Sequence, residues 1–171
     1  MNVTDLVRHA RLVQVTRETL PEVHAMWLEA ADWMKSQGIN QWIASQLTLE
    51  AVDYCYSIGY MFIAKSDGES IGTFFLVKAE PDLWGDEGNQ ADCAYLHRLV
   101  VKRAYAGLGL GYRLLDLAAE RLREQNLQVF RLDCMADSPK LNELYRKAGF
   151  TFRRRVDGDG WSANLYEKPL N

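Results

Sequence analysis

Apolar and polar positions change period along this chain, and the changes mark out its elements. Arg11 to Val15 alternates with a period of two and predicts a first strand. Behind it, Thr19-Leu20-Pro21-Glu22 reads as a capping box with proline in the first turn. The helix it opens carries Val23, Met26, Trp27, Ala30, Trp33 and Met34 at helical spacing, and Gly38 is a natural stop. Thr48 can cap a second, shorter helix ending near Gly59. Tyr60 to Lys65 and Ser70 to Lys78 predict a hairpin turning at Ser66-Asp67-Gly68. Glu80 to Asp92 reads as an acidic loop, followed by a strand over Cys93 to Val101. A helix follows over Leu110 to Glu124, with Leu110, Leu114, Leu117, Ala118 and Leu122 facing inward. Then come a strand from Val129 to Met135 and a helix from Pro139 to Lys147, opened by Ser138 and closed by Gly149. Phe150 to Val156 and Ala163 to Lys168 form a closing pair around Asp157-Gly158-Asp159-Gly160. The order is β-α-α-β-β-β-α-β-α-β-β, an α/β (α+β) arrangement with no internal repeat and no linker. Residues 1–10 read as a loosely held leader.

Composition narrows the classes. At 171 residues and 48% hydrophobic, the chain fits a single domain, 1–171, with a sizeable core. A net charge of -3 argues against a nucleic-acid partner and against an anionic membrane surface. The one basic cluster, Arg153-Arg154-Arg155, reads as the solvated edge of a late strand. No apolar run approaches the roughly 18 residues of a membrane span, and no signal-peptide pattern opens the chain. Cys55, Cys93 and Cys134 are odd in number and far apart, which suits a reducing, cytoplasmic setting. His9, His24 and His97 fall in no metal-ligand spacing, so no metal is expected.

The chemistry is concentrated in Leu99-Val100-Val101, a short turn, and then Gly107-Leu108-Gly109-Leu110-Gly111-Tyr112 entering a helix. Glycines there leave backbone N–H groups bare at the positive end of a helix dipole, which seats a phosphate or pyrophosphate. A Walker A loop is excluded because no Lys-Ser/Thr pair follows Gly111. A dinucleotide fingerprint fails because its third glycine would fall on Tyr112. What remains, with the later run Ser138-Pro139-Lys140-Leu141-Asn142-Glu143-Leu144-Tyr145-Arg146-Lys147-Ala148-Gly149-Phe150, resembles the GNAT superfamily of N-acetyltransferases.

The resemblance implies a GNAT fold: a central mixed, mostly antiparallel sheet of about seven strands flanked by about four helices. It implies acetyl-CoA as co-substrate, with Leu99, Val100 and Val101 offering backbone to the pantetheine arm. The N–H groups of Gly107, Leu108, Gly109, Leu110, Gly111 and Tyr112 would take the pyrophosphate. Tyr145 matches the tyrosine that gives its proton toward the CoA sulfur, against the competing reading of a core aromatic on the Leu141-Leu144-Tyr145-Ala148 stripe. Two positions depart from the family pattern. Ala106 stands where Gln or Arg is usual, and Ser138 where Asn is usual, so Ser138 either touches the cofactor or serves as a cap alone.

Many relatives place a Glu on the strand ahead of the loop, but the matching residue here is Tyr95. Alternation puts Tyr95 and His97 on the face of Leu99, which makes His97 the candidate base, an imidazole having an ordinary pKa of about 6.5. A structural histidine is the competing reading. Asp133, two positions after Arg131 on a strand, reads as its ion-pair partner. Trp33, Gln41 and Trp42 are candidates to line an acceptor pocket, against the plainer reading of helix-stripe tryptophans as core. The resulting expectation is acetyl transfer to a primary amine, on a small molecule or a peptide, by direct attack in a ternary complex. The alternative is an acyl-CoA-binding sensor that has lost turnover. Homodimerisation stays open.

Overall fold

Seven strands form one sheet in the computed structural model, which describes residues 2–171. They are β1 (Arg11–Gln14), β2 (Tyr60–Ser66), β3 (Glu69–Val77), β4 (Cys93–Val101), β5 (Val129–Met135), β6 (Thr151–Gly158) and β7 (Trp161–Pro169). Hydrogen-bonded neighbours run in the order β1-β2-β3-β4-β5-β7-β6. β1 lies antiparallel to β2, and β7 is antiparallel to both β5 and β6, while β4 and β5 are parallel. Six α-helices accompany the sheet: α1 (Val3–Arg8), α2 (Leu20–Ser36), α3 (Leu49–Ile58), α4 (Pro81–Trp84), α5 (Leu110–Glu124) and α6 (Pro139–Lys147). The four longer ones are those the sequence predicts. None of the described helices is long and apolar enough to cross a membrane.

The short α1 replaces most of the expected loose leader. Asn2 caps it by accepting from the Asp5 N–H at 2.9 Å, Leu6 is buried, and the Ser66 hydroxyl donates to the Leu6 carbonyl at 3.0 Å. Met1 lies outside the described residues. Chain contacts divide the molecule into two compact units. The first takes the chain up to Phe75 together with Arg98–Leu114, and the second takes Leu76–His97 with Leu115–Asn171.

In the first unit, α2 buries Leu20, Val23, Met26, Trp27 and Ala31 at three- and four-residue spacing. The expected capping box at Thr19 and Glu22 does not form. The Thr19 hydroxyl turns back to accept from the Thr16 N–H at 3.0 Å, and Glu22 instead accepts from the Ser70 hydroxyl. Thr48 does cap α3, accepting from Ala51 at 3.1 Å. The β2–β3 turn sets Asp67 and Gly68 at φ 48 and 82, the pair of left-handed residues that matches a two-residue hairpin to strand twist. At Gly72 on β3, a Cβ would meet the Val100 carbonyl oxygen at 2.4 Å and the Leu114 side chain at 2.8 Å. Only a hydrogen fits there, and β3 closes on the end of β4, with the Lys102 N–H donating to the Ile71 carbonyl at 2.9 Å.

In the second unit the expected acidic loop is folded instead, as α4 and a 3₁₀ turn over Gly85–Asn89. Burial of Trp84 and a Glu80 N–H to Gly88 carbonyl bond of 2.8 Å explain why. Arg131 organises this turn. Its Nε donates to Glu167 at 2.7 Å, and its terminal nitrogens donate to the Glu87 carbonyl, the Tyr95 hydroxyl and Gln90 at 2.8, 2.9 and 2.9 Å. The guanidinium also lies 4.4 Å from the Trp84 ring centroid. The expected Arg131–Asp133 pair is therefore corrected: Glu167 stands directly opposite Arg131 in the β5–β7 register, and cross-strand proximity wins. The Arg153-Arg154-Arg155 cluster does lie on the edge strand β6 with Arg153 and Arg155 exposed, and Arg154 alone reaches back into the fold. A register irregularity in β6 between Phe152 and Arg154 accompanies an Arg154 bond to the Trp84 carbonyl at 2.8 Å.

Candidate active site

The phosphate seat predicted from the glycines lies in the first unit. Gly107 and Gly109 have φ 78 and 80, and a Cβ at either would meet no atom within 4 Å. The turn is thus left-handed at two points and open above its backbone. The N–H groups of Gly107, Leu108, Gly109, Leu110, Gly111 and Tyr112 have no protein acceptor among the described residues. The first donor of α5 to be satisfied is Arg113, whose N–H reaches the Gly109 carbonyl at 3.3 Å. Six consecutive bare donors at the positive end of a 15-residue helix fit a pyrophosphate in number and in sign.

The strand before the seat has a free edge of its own. Because the Lys102 N–H points at β3, alternation turns the Val100 N–H the same way. The N–H groups of Leu99 and Val101 then face the other edge. The β4–β5 ladder ends at Leu96 and Leu132, so Leu99 and Val101 lie past the last paired residue of β4. On that alternation the Leu99 and Val101 donors lie on the edge away from β3, and the Val100 donor on the edge toward it.

Arg98 interrupts β4 with φ 50, a left-handed residue in the middle of a strand. Period-two counting does not pass through such a break, so the face expected to join Tyr95 and His97 to Leu99 is not carried past His97. Tyr95 is buried and spends its hydroxyl on Arg131 and the Glu87 carbonyl. His97, half-buried in the second unit, sets Nε2 2.7 Å from Glu80 Oε2. A carboxylate on Nε2 favours the tautomer that carries its proton there and fixes the orientation of the ring. Asp133 adds a third group: burial pushes its carboxyl up, the His97 charge pulls it down and Glu80 raises it again. In the sequence Glu80 reads as one of the loop carboxylates, with Asp82, Asp86 and Glu87, that would favour a cationic acceptor; its pairing with His97 carries no local signal.

Tyr145 and Ser138 also lie in the second unit. Tyr145 is buried on α6 with its ring against Phe150 and Tyr166, at centroid distances of 6.1 and 6.2 Å. Burial pushes its phenol well above the ordinary range, with Cys134 and Asp133 adding to the effect, so it remains a proton donor at neutral pH. Its hydroxyl bonds to no described residue. Ser138 acts as the N-cap of α6, accepting from Leu141 at 3.3 Å. Asn142, which the sequence reading passed over, is the polar hub of this corner. It donates to the carbonyls of Met135 and Ser138 at 3.1 and 2.7 Å, and accepts from Asn164 and the Tyr166 hydroxyl at 2.8 and 2.6 Å.

The three thiols are free and unsuited to nucleophilic work. Burial pushes Cys134 up to about 12 and Cys93 up to about 11, and raises Cys55 as well. Trp33 and Trp42 each hold an arginine in the first unit, Arg103 at 4.0 Å and Arg98 at 4.9 Å, so neither is plain helix-stripe core. Gln41 is exposed.

A fold with a parallel β4–β5 pair, a glycine seat ahead of α5 and a tyrosine on α6 defines an acyltransferase of the acetyl-CoA class. The model of the acetyltransferase (GNAT) family matches residues 27–150, and the chain belongs to that family. It is 33% identical over 159 residues to an uncharacterized N-acetyltransferase, YesJ, of Bacillus subtilis (strain 168), covering 90% of this chain and 86% of that one. Among solved structures, a GNAT-family acetyltransferase of Listeria monocytogenes 4b F2365 shares 24% identity with a TM-score of 0.79 and 94% of each chain covered. The aminoglycoside acetyltransferase AAC(6')-Ib, in complex with coenzyme A, shares 21% identity with a TM-score of 0.73, again over 94% of each chain.

Proposed function

We propose that residues 1–171 act as one acetyltransferase domain that moves the acetyl group of acetyl-CoA to a primary amine by direct attack in a ternary complex. The observation that carries this reading is the row of bare N–H groups from Gly107 to Tyr112. The coenzyme A bound by the aminoglycoside acetyltransferase supports the same choice of co-substrate. Acetyl-CoA supplies an activated thioester. Leu99 and Val101 offer backbone donors along the pantetheine arm, and the glycine seat holds the pyrophosphate. The amine nitrogen forms a bond to the carbonyl carbon, the C–S bond breaks, and two proton movements remain. His97, its ring oriented by Glu80, accepts the proton lost by the amine. Tyr145 donates its phenolic proton to the departing sulfur. No thiol takes part, because the most deeply buried cysteines are held protonated.

The seat is tested by Gly109→Val. A Cβ there meets no protein atom within 4 Å, so the branch occupies the open side of the turn, and the φ of 80 disfavours a branched residue. Calorimetry with acetyl-CoA is expected to show a Kd at least tenfold weaker, about 1.4 kcal/mol. Unchanged binding in a variant with a native melting curve rules the seat out. Thiol release with a panel of amines separates the enzyme from a sensor, since turnover of any amine excludes the sensor.

The histidine base predicts a pH effect with a definite sign. Neutral imidazole is the acting form, so kcat/KM rises with pH through an inflection, and His97→Ala removes that inflection as well as slowing turnover. A wild-type profile that follows the pKa of each amine tested ends the assignment.

A further inference from the structure

Half-buried Arg98 has an environment unlike that of the buried Arg131. Its guanidinium lies over the Trp27 ring at 4.8 Å and over the Trp42 ring at 4.9 Å. Trp27 is buried, and Trp42 and Arg98 itself are half-buried. Indole faces attract a cation but offer its N–H groups nothing to bond to. No carboxylate, carbonyl or hydroxyl among the described residues accepts from any of the five donors. The one titratable group that faces Arg98 among the described residues is the Cys55 thiol, which burial keeps protonated and so uncharged. Arg131 shows what the same side chain does when it serves the fold: every nitrogen of its guanidinium finds an acceptor and a carboxylate sits at 2.7 Å. Arg98 also occupies left-handed backbone, with φ 50, a conformation that packing must hold in place.

A half-buried cation fixed by two rings and left without a protein acceptor is poised for an anion that a ligand brings. Because the indoles already order the guanidinium, little further ordering is needed on binding. The planar fork of donors suits a carboxylate or a phosphate. The single positive charge matches a carboxylate, whereas a phosphate monoester carries about -1.5 to -2. We propose that Arg98, held by Trp27 and Trp42, binds the carboxylate of the acceptor, so that the amine acetylated belongs to an amino acid or another amino-carboxylic acid. This rests on the acetyl-transfer reading for its setting.

The test compares acceptors in pairs by thiol release: each L-amino acid against its decarboxylated amine, and β-alanine against propylamine and phosphoethanolamine. Wild-type protein is expected to favour the carboxylated member of at least one pair by tenfold or more in kcat/KM. In R98Q that ratio falls at least tenfold, and in R98K it falls in part, since charge remains but the fork is lost. A wild-type preference for the carboxylate-free member of every pair overturns the proposal, as does a preference for phosphoethanolamine over β-alanine. An unchanged ratio in a folded R98Q does the same, and R98K takes its place if R98Q does not fold. Should no amine be turned over although acetyl-CoA binds, the acetyl-transfer reading fails separately. Quenching of tryptophan fluorescence by N-acetylphenylalanine then decides the carboxylate site: saturable quenching in wild type that is lost in R98K or R98Q supports it, and its absence overturns it.

Discussion

Replacing Tyr145 by phenylalanine is expected to lower kcat by about 10- to 1000-fold, the range for a lost proton donor, while the Kd for acetyl-CoA stays within about twofold. Only one oxygen is removed. The ring keeps its contacts with Phe150 and Tyr166, and no described residue loses a hydrogen bond. The melting temperature should therefore hardly move, which separates this variant from one that merely damages the core. Steady-state kinetics beside calorimetry read both quantities. If kcat survives, Tyr145 belongs to the apolar stripe of α6 and the departing thiolate finds its proton elsewhere.

Arg131→Ala is expected to act on stability and not on chemistry. Arg131 is 4% exposed and its removal strands the Glu167 carboxylate, the Tyr95 hydroxyl, the Gln90 side chain and the Glu87 carbonyl. Glu87 suffers twice, because its buried Oε2 has no hydrogen bond and relies on arginines 3.9 Å away for compensating charge. Breaking a buried pair from one side costs about 3–5 kcal/mol. Urea unfolding should show that loss as a shifted midpoint with an unchanged slope. A companion Arg131→Met, Glu167→Gln double variant should recover part of it, since the Glu167 charge leaves with its partner and Glu87 keeps Arg153 and Arg154 nearby. A loss under about 1 kcal/mol for the single variant would mean that water replaces the arginine without penalty.

What the sequence made legible followed from local rules. β4, α5, β5 and α6 begin and end where periodicity, the Ser138 cap and the glycines put them, because each boundary is decided within a few residues. The glycine seat was readable for the same reason. The misreadings share a different cause. Thr19 turned its hydroxyl backward because Glu22 had a partner far along the chain in Ser70. Asp133 lost Arg131 to Glu167, which is near only once β5 and β7 are paired. The acidic loop was folded by Trp84 and by the arginine above it, neither of which has a local pattern. Arg98 was the least legible residue of all. Nothing in its neighbours announces a left-handed break, and its partners Trp27 and Trp42 lie more than fifty positions away.

Gly72 makes the glycine seat non-portable. The strand end that leads into residues 107–112 rests on a backbone with no side chain at position 72, where the space left is smaller than a methyl group. An engineer who grafts residues 99–112 onto another strand pair must therefore carry a bare position on the adjoining strand as well. Without it, the host's own side chain would push the Val100 carbonyl outward and tilt the first turn of the helix away from its ligand. A recipient strand should be chosen for its glycine before it is chosen for its length.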